Sequence, residues 1–233
     1  MTDISTDAAT LRAALAALGP GRVWRPVPGP DGTLLATGRG PGPECLDAYV
    51  AGLDVAGKTV ADLGCNLGYF AFLAARNGAC RVLGCDSDPE IAAAANLLAR
   101  LHGHTNVAFT ALDFLASPAP ERFDLALFVD FVGRGVVAKG RLAAVAAAAE
   151  AWARHEAFFT LHLAYELEEL AVAPDILAAR HPGCVRDGRV FVAEALAALL
   201  GPGWDMRRLT DGRLDTGEAS LRTKTALLFT RKT

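Results

Sequence analysis

From Lys58 onward, short apolar runs alternate with windows of helix length. The runs TVADL (59–63), RVLGCD (81–86), NVAFTAL (106–112), FDLALFVD (123–130) and AFFTLHL (157–163) are nearly continuous, the pattern of strands covered on both faces. Between them lie helical windows, one to about Asn77, then 88–102 and 138–154. This alternation predicts an α/β protein with a doubly wound, mostly parallel sheet and helices on both faces. Near the end the pattern changes. A helix over 190–200 stops at Gly201-Pro202, and WDMRRL (204–209) and KTALLFTR (224–231) follow with only a turn-rich loop, 210–222, between them. Two strands so connected pair antiparallel, which predicts a C-terminal hairpin.

Before Lys58 the chain reads differently. Residues 7–18 form a helix with Leu11, Leu15 and Leu18 on one stripe, Thr6 as N-cap and Gly19-Pro20 as the stop. A Pro/Gly-rich stretch, 19–43, holds no long regular element, and 44–53 is helical again. Residues 1–43 are therefore expected to be an N-terminal cap on a domain spanning 44–233.

Composition narrows the class. Hydrophobic types make up 52% of 233 residues, and although 46 of these are alanine, enough larger side chains remain for a full core. The longest apolar run is eight residues, 142–149, too short to span a bilayer. The N-terminus carries acid where a signal peptide carries base, and the five cysteines contain no CxxC pair. A cytoplasmic protein with no disulfide framework and no structural metal is expected. The net charge of −3 argues against an electrostatic nucleic-acid platform, although net charge hides local patches.

The chemistry concentrates in Val60-Ala-Asp62-Leu-Gly64-Cys65-Asn66-Leu-Gly68-Tyr-Phe70, a strand end, a glycine turn and a helix opening near Leu67. Gly64 and Gly68 permit close approach of a ligand to bare backbone, and ligands of open α/β sheets bind outside the carboxyl ends of the strands. By themselves the glycines make only a short turn. Carboxylates add weight: Asp62, Asp86, Asp113 and Asp130 each fall at or just after a predicted strand end. Asp86 is placed to accept from a ribose diol. Asp88, in Ser87-Asp88-Pro89-Glu90, reads instead as a helix N-cap with Pro89 at the first helical position. A dinucleotide needs a second glycine near position 66, where Asn66 stands, and no Walker lysine follows.

DLGCNLGYF, VLGCDSDP, ALDF and FDLALFVD together resemble the class I S-adenosylmethionine-dependent methyltransferases, over about residues 44–231. The resemblance implies a seven-stranded sheet and S-adenosyl-L-methionine as cofactor. It places Asp62, Gly64, Cys65, Asn66 and Gly68 around the methionine moiety, and Asp86 with Ser87 at the ribose. Asp113 and Phe114 would stand at the adenine, and Asp130 and Phe131 near the sulfonium.

His162, Asp130 and Tyr165 are the candidate catalytic residues. His162 ends the fifth apolar run, and the reference pKa of histidine lies near neutrality, although a packed strand-end histidine reads the same way. Glu166, Glu168 and Glu169 fit a solvated helix face, and Arg134 fits either an anchor for an anionic substrate or a loop arginine. No N/D-P-P-Y/F motif follows the fourth strand, which disfavours nucleobase amino groups. The expected activity is methyl transfer to a small organic molecule, with nucleic acid disfavoured as a partner and no membrane association. The alternatives are a tRNA-modifying enzyme, which an arginine stripe at the pocket mouth would favour, and a non-catalytic partner-binding subunit. Residues 1–43 and 163–188 are expected to form the acceptor pocket.

Overall fold

The computed structural model describes residues 4–19, 21–39, 44–209 and 224–232. Its main sheet is built from seven strands: β1 (Thr59–Leu63), β2 (Arg81–Asp86), β3 (Val107–Ala111), β4 (Phe123–Val132), β5 (Ala153–Leu161), β6 (Trp204–Leu209) and β7 (Thr225–Arg231). The hydrogen-bonded order is β6-β7-β5-β4-β1-β2-β3. β1 with β2, β2 with β3, and β4 with β5 are parallel, while β7 runs antiparallel to both β5 and β6. The expected C-terminal hairpin is present; its loop, 210–222, lies outside the described residues. The chain divides into two compact units, Met1–Ser117 and Pro118–Thr233.

In the first unit, helices α1 (Ile4–Leu18), α2 (Glu44–Ala51), α3 (Tyr69–Arg76) and α4 (Pro89–Leu101) accompany β1 to β3. Val60 to Leu63 are all buried, as a continuous apolar strand requires. Leu11, Leu15 and Leu18 are buried along α1, which packs on α4, and Arg100 Nε reaches Asp7 at 3.2 Å. α1 begins at Ile4, so Thr6 lies inside the helix rather than capping it, and Asp7 stands in the first turn. The Pro/Gly-rich stretch contains a short antiparallel ribbon, Val27–Pro28 with Leu34–Ala36. Asp88 caps α4 as expected, accepting from the Glu90 and Ile91 amides with Pro89 at the first position.

The second unit holds β4 to β7 with α5 (Arg134–Ala138), α6 (Leu142–Trp152), α7 (Leu167–Leu170), α8 (Pro174–Arg180) and α9 (Val192–Leu200). Its core is aromatic. Phe128 stacks on Phe159 at 4.5 Å and Phe159 meets Phe229 edge-on at 5.6 Å, all three fully buried, each contributing about 1.5–3 kcal/mol of burial. The helix expected over 138–154 is divided and shortened: Gly140, at φ 69°, ends the α5 segment and α6 starts only at Leu142. β5 begins at Ala153, four residues earlier than its apolar run, because its polar start still pairs, Ala153 opposite Phe123 and Glu156 opposite Thr230. It ends at Leu161, so His162 lies one residue beyond the strand. Within 163–188 and just after it, Ala164–Glu166, Arg189–Phe191 and Val185–Arg186 form a separate three-stranded sheet.

Candidate active site

In the first unit the chain leaves β1 through three left-handed residues, Gly64 (φ 78°), Asn66 (φ 49°) and Gly68 (φ 82°). The amides of Gly64 and Cys65 both donate to the Cys85 carbonyl of β2, at 2.8 and 3.0 Å, which fixes the turn against its neighbour strand. A Cβ on Gly68 would lie 2.2 Å from the Phe109 ring, so only glycine fits where α3 begins. The expected helix start near Leu67 moves to Tyr69 for this reason.

Asp86 locks the other side of the turn. Its Oδ2 accepts from the Asn66 amide and its Oδ1 from the Asp88 amide, both at 3.0 Å. Burial raises its carboxyl above the ordinary carboxylate range, and those two amide donors oppose the rise. Asp62 is more extreme. It is 2% exposed; the Ala71 amide of α3 donates to its carboxyl, while Oδ2 is buried without a hydrogen-bond partner. Burial pushes Asp62 up to about 7, with Asp86 adding to the rise. Cys65 is buried beside this pair and its thiol is pushed far up by burial, which makes it unreactive.

The remaining first-unit candidates are less enclosed. Ser87 is exposed. Asp113 is exposed too, and its Oδ1 accepts from the Leu115 amide at 3.0 Å in a local turn just past β3, while Phe114 is buried. Asn66 has a job that the sequence did not announce. Its Oδ1 accepts from the Trp24 amide at 3.0 Å and its Nδ2 donates to the Arg22 carbonyl at 2.8 Å. The Arg22 guanidinium in turn pairs with Asp88 and, at 2.7 Å, with Glu90. The N-terminal segment is thus tied to the turn by backbone bonds that no side-chain pattern encodes.

In the second unit Asp130 does not end β4, as expected. The strand continues to Val132, and its register against β5 shifts between Phe128 and Val132, with Asp130 at φ 58°. Two residues missed by sequence reasoning hold it. The Thr160 hydroxyl, fully buried, accepts from the Asp130 amide at 2.8 Å, and the Lys224 ammonium pairs with its carboxylate. A lone threonine in an otherwise apolar buried strand was the available signal for Thr160. His162 and Tyr165 stand with their rings 5.2 Å apart. Burial pushes the Tyr165 hydroxyl up to about 12, Arg134 opposes the rise, and Glu169 and Asp130 add to it. Asp130, His162 and Tyr165 therefore share one neighbourhood, in which Tyr165 stays protonated and keeps a hydrogen to donate. Glu166 and Glu169 form a capping box at α7, and Glu166 also pairs with Arg189 at 2.7 Å. Arg134 is exposed at the start of α5, and Phe131 is half-buried beside it.

Comparison with known proteins shows what the chain resembles. Residues 54–159 match the family model of a methyltransferase domain. Ribosomal protein L11 methyltransferase of Aeromonas hydrophila is 41% identical over 75 residues, 29% of this chain and 26% of that protein. The chain thus spans about a quarter of the curated relatives it matches. In structure it is similar to magnesium protoporphyrin IX methyltransferase of Synechocystis PCC 6803, solved with bound S-adenosylhomocysteine (TM-score 0.53, 17% identity, 81% of each chain). It is also similar to the 16S rRNA methylase RmtB (TM-score 0.50, 16% identity, 81% of this chain and 61% of that one). Residues 54–159 thus resemble a methyltransferase domain, and the seven-stranded sheet has the fold of the class I S-adenosylmethionine-dependent methyltransferases. S-adenosylmethionine is the cofactor of that class.

One expectation is overturned. A small-molecule acceptor as the partner does not agree with the curated relatives, which are named for a ribosomal protein. The net charge that supported it averages over two unlike units. Met1–Ser117 has 8 Lys+Arg against 11 Asp+Glu, while Pro118–Thr233 has 15 against 15. No helix among the described residues is long and apolar enough to cross a membrane.

Proposed function

We propose that the protein methylates a macromolecular acceptor at the expense of S-adenosylmethionine. The observation that carries the cofactor half of this reading is the Asp62–Asp86 pair. One carboxyl is buried with an oxygen lacking a partner, the second is half-buried, and no Lys or Arg lies within the turn. Such a donor set suits a ligand that brings its own positive charge and a diol but no phosphate. When bound, that cofactor supplies a methyl carbon already activated by a sulfonium leaving group.

In this reading Asp62 faces the cationic amino-acid end, with Gly64, Cys65, Asn66 and Gly68 shaping the turn around it. Asp86 and Ser87 hold the ribose, and Asp113 and Phe114 flank the adenine. Asp130 and Phe131 stand by the reacting carbon. Asp130 and His162 are the groups able to take a proton from an acceptor, and Tyr165 orients it as a donor. Residues 1–43 act as a cap tied to the cofactor turn through Arg22 and Trp24. The macromolecular acceptor is supported by the relatives' names.

Titration calorimetry with S-adenosylhomocysteine tests the first half, and micromolar binding is expected. The second half is read by incubating the protein with tritiated cofactor and a ribosome preparation, then counting acid-precipitable label. Absence of binding at millimolar ligand, or label confined to acid-soluble products, overturns the reading.

A further inference from the structure

The turn that follows β4 carries an unusual charge pattern. Between Phe131 and Ala149 the chain contains Arg134, Lys139 and Arg141 and no acidic residue. The structure folds this stretch around an open cavity of about 230 Å³ lined by Phe131, Gly133, Gly135, Val136, Lys139 and Arg141. That is room for a phosphodiester group.

The cations are not needed by the fold. The last carbonyls of α5 are already met from the end of α8, Ala138 by the Arg180 guanidinium and Val137 by a ring nitrogen of His181 at 2.9 Å. The Arg180 stem packs over Gly140, so the turn is braced from behind. Lys139 and Arg141 are exposed. α7, the helix packed against α5, brings Glu168 and Glu169, and the Glu169 carboxylate is turned back to the Glu166 amide at 3.1 Å. Several described cations elsewhere in this unit have carboxylate partners: Arg154 with Asp124, Arg186 with Glu194, Lys224 with Asp130, Lys232 with Asp205.

We propose that this cavity is a phosphate-binding subsite that receives the sugar–phosphate backbone of an RNA acceptor. The inference rests on the methyltransferase reading for the word acceptor, but not for the binding. Three features favour nucleic acid over an acidic protein. Lys139 and Arg141 line one open cavity wide enough for a phosphodiester, whereas carboxylates of a peptide chain need no such concavity. The half-buried Phe131 on the wall offers an aromatic surface of the kind on which bases or sugars pack. At Gly133 and Gly135 no heavy atom lies within 4 Å of where a Cβ would be, so a polymer backbone can approach the main chain directly.

The test is fluorescence anisotropy with a labelled 20-nucleotide single-stranded RNA of mixed sequence, titrated at several salt concentrations. The intact protein is expected to bind, and the double variant Lys139→Ala/Arg141→Ala to bind about tenfold more weakly. Its plot of log affinity against log salt is expected to flatten by about 0.7 per cation removed. Exchanging the two residues, Lys139→Arg/Arg141→Lys, should restore binding. Arg154→Ala/Lys232→Ala removes the same number of charges from sites that already have carboxylate partners, and should change affinity less than twofold. Equal losses in the two double-alanine variants overturn the proposal, and so does polyglutamate binding as tightly as the RNA. Calorimetry with S-adenosylhomocysteine on the same proteins separates the two readings. Intact cofactor binding without RNA binding sinks the subsite alone, and RNA binding without cofactor binding sinks the methyltransferase reading alone.

Discussion

The turn after β1 and the turn after β4 are built from similar parts and differ in charge and in how tightly they are held. Each leaves a buried strand, each has a non-glycine residue in the left-handed region, Asn66 within the first turn and Asp130 inside β4 two residues before the second, and each has two nearby glycines. In the first, every degree of freedom is taken up. Two amides are bound to one carbonyl of β2, Asp86 is bound to two amides, and Gly68 lies against Phe109. Its charges are acidic and its polar shortage is a buried carboxylate oxygen. In the second, Gly133 and Gly135 are open, and the flanking charges are basic and exposed. A pocket that must recognise one invariant molecule is pre-shaped and under-partnered. A surface that must meet a long polymer is shallow and cationic.

The sharpest way to break that comparison is a glycine in each turn. Gly68→Ala forces a Cβ into the Phe109 ring at φ 82°, and the left-handed strain and overpacking together are expected to cost about 3 kcal/mol or more. Gly133→Ala meets no atom within 4 Å and keeps an ordinary extended φ of −106°, so a change within about 0.5 kcal/mol is expected. Urea unfolding of both variants measures the difference. Similar losses at the two positions would show that the turns are not differently constrained.

How far each turn could be read beforehand follows the same division. The bounds of β1, β2 and β6 agree with the runs TVADL, RVLGCD and WDMRRL to the residue. The start of β5 lies four residues before its apolar run because Ala153 and Glu156, on either side of the polar Arg154 and His155, pair with neighbours distant in sequence. Gly140 was invisible as a helix break inside an alanine-rich window, where composition favours helix on both sides. At the site, glycines and strand-end aspartates were legible because their chemistry is local. The supports were not: the Arg22 and Trp24 main chain on Asn66, and Lys224 and Thr160 on Asp130, are contacts made across 30 to 94 residues of chain. The cationic stretch 131–149 was in the sequence throughout, but an averaged charge of −3 concealed it.

A second pair of measurements sharpens the electrostatic side. Asp62 sits near 7 in the folded protein, above the ordinary 3.8, so below pH 7 it carries a proton that a cationic ligand must displace. Cofactor affinity is therefore expected to fall as pH drops from 8 to 6, by at most about tenfold per unit. The stability sign is opposite. A raised carboxyl favours the folded state when protonated, a contribution complete below the unfolded value of 3.8 and lost as pH rises through 7. Asp62→Asn should thus weaken cofactor binding by about 30-fold or more without lowering stability at pH 8. Calorimetry and thermal unfolding on one sample read both. A variant that binds normally removes Asp62 from the site, and one that unfolds more readily makes the residue structural.

The smallest expected effect concerns the tie between the first turn and the N-terminal segment. Arg22 pairs with Asp88 and Glu90 in an exposed setting, where ion pairs contribute about 0–1 kcal/mol. Arg22→Ala should therefore barely shift the global unfolding midpoint. The main-chain bonds from Trp24 and to the Arg22 carbonyl do not depend on that side chain, so Asn66 keeps its partners. What changes is the free energy of local opening of residues 21–25 away from the turn, which the guanidinium opposes by bridging to the start of α4. Hydrogen exchange at the Trp24 amide reads that opening directly, and a rise of about two- to fivefold in its rate is expected, against no change at Cys65, whose amide is held by β2. A matching rise at Cys65 would mean that the turn itself depends on the N-terminal segment, and its rigidity would then belong to the cap rather than to the β1–β2 ladder.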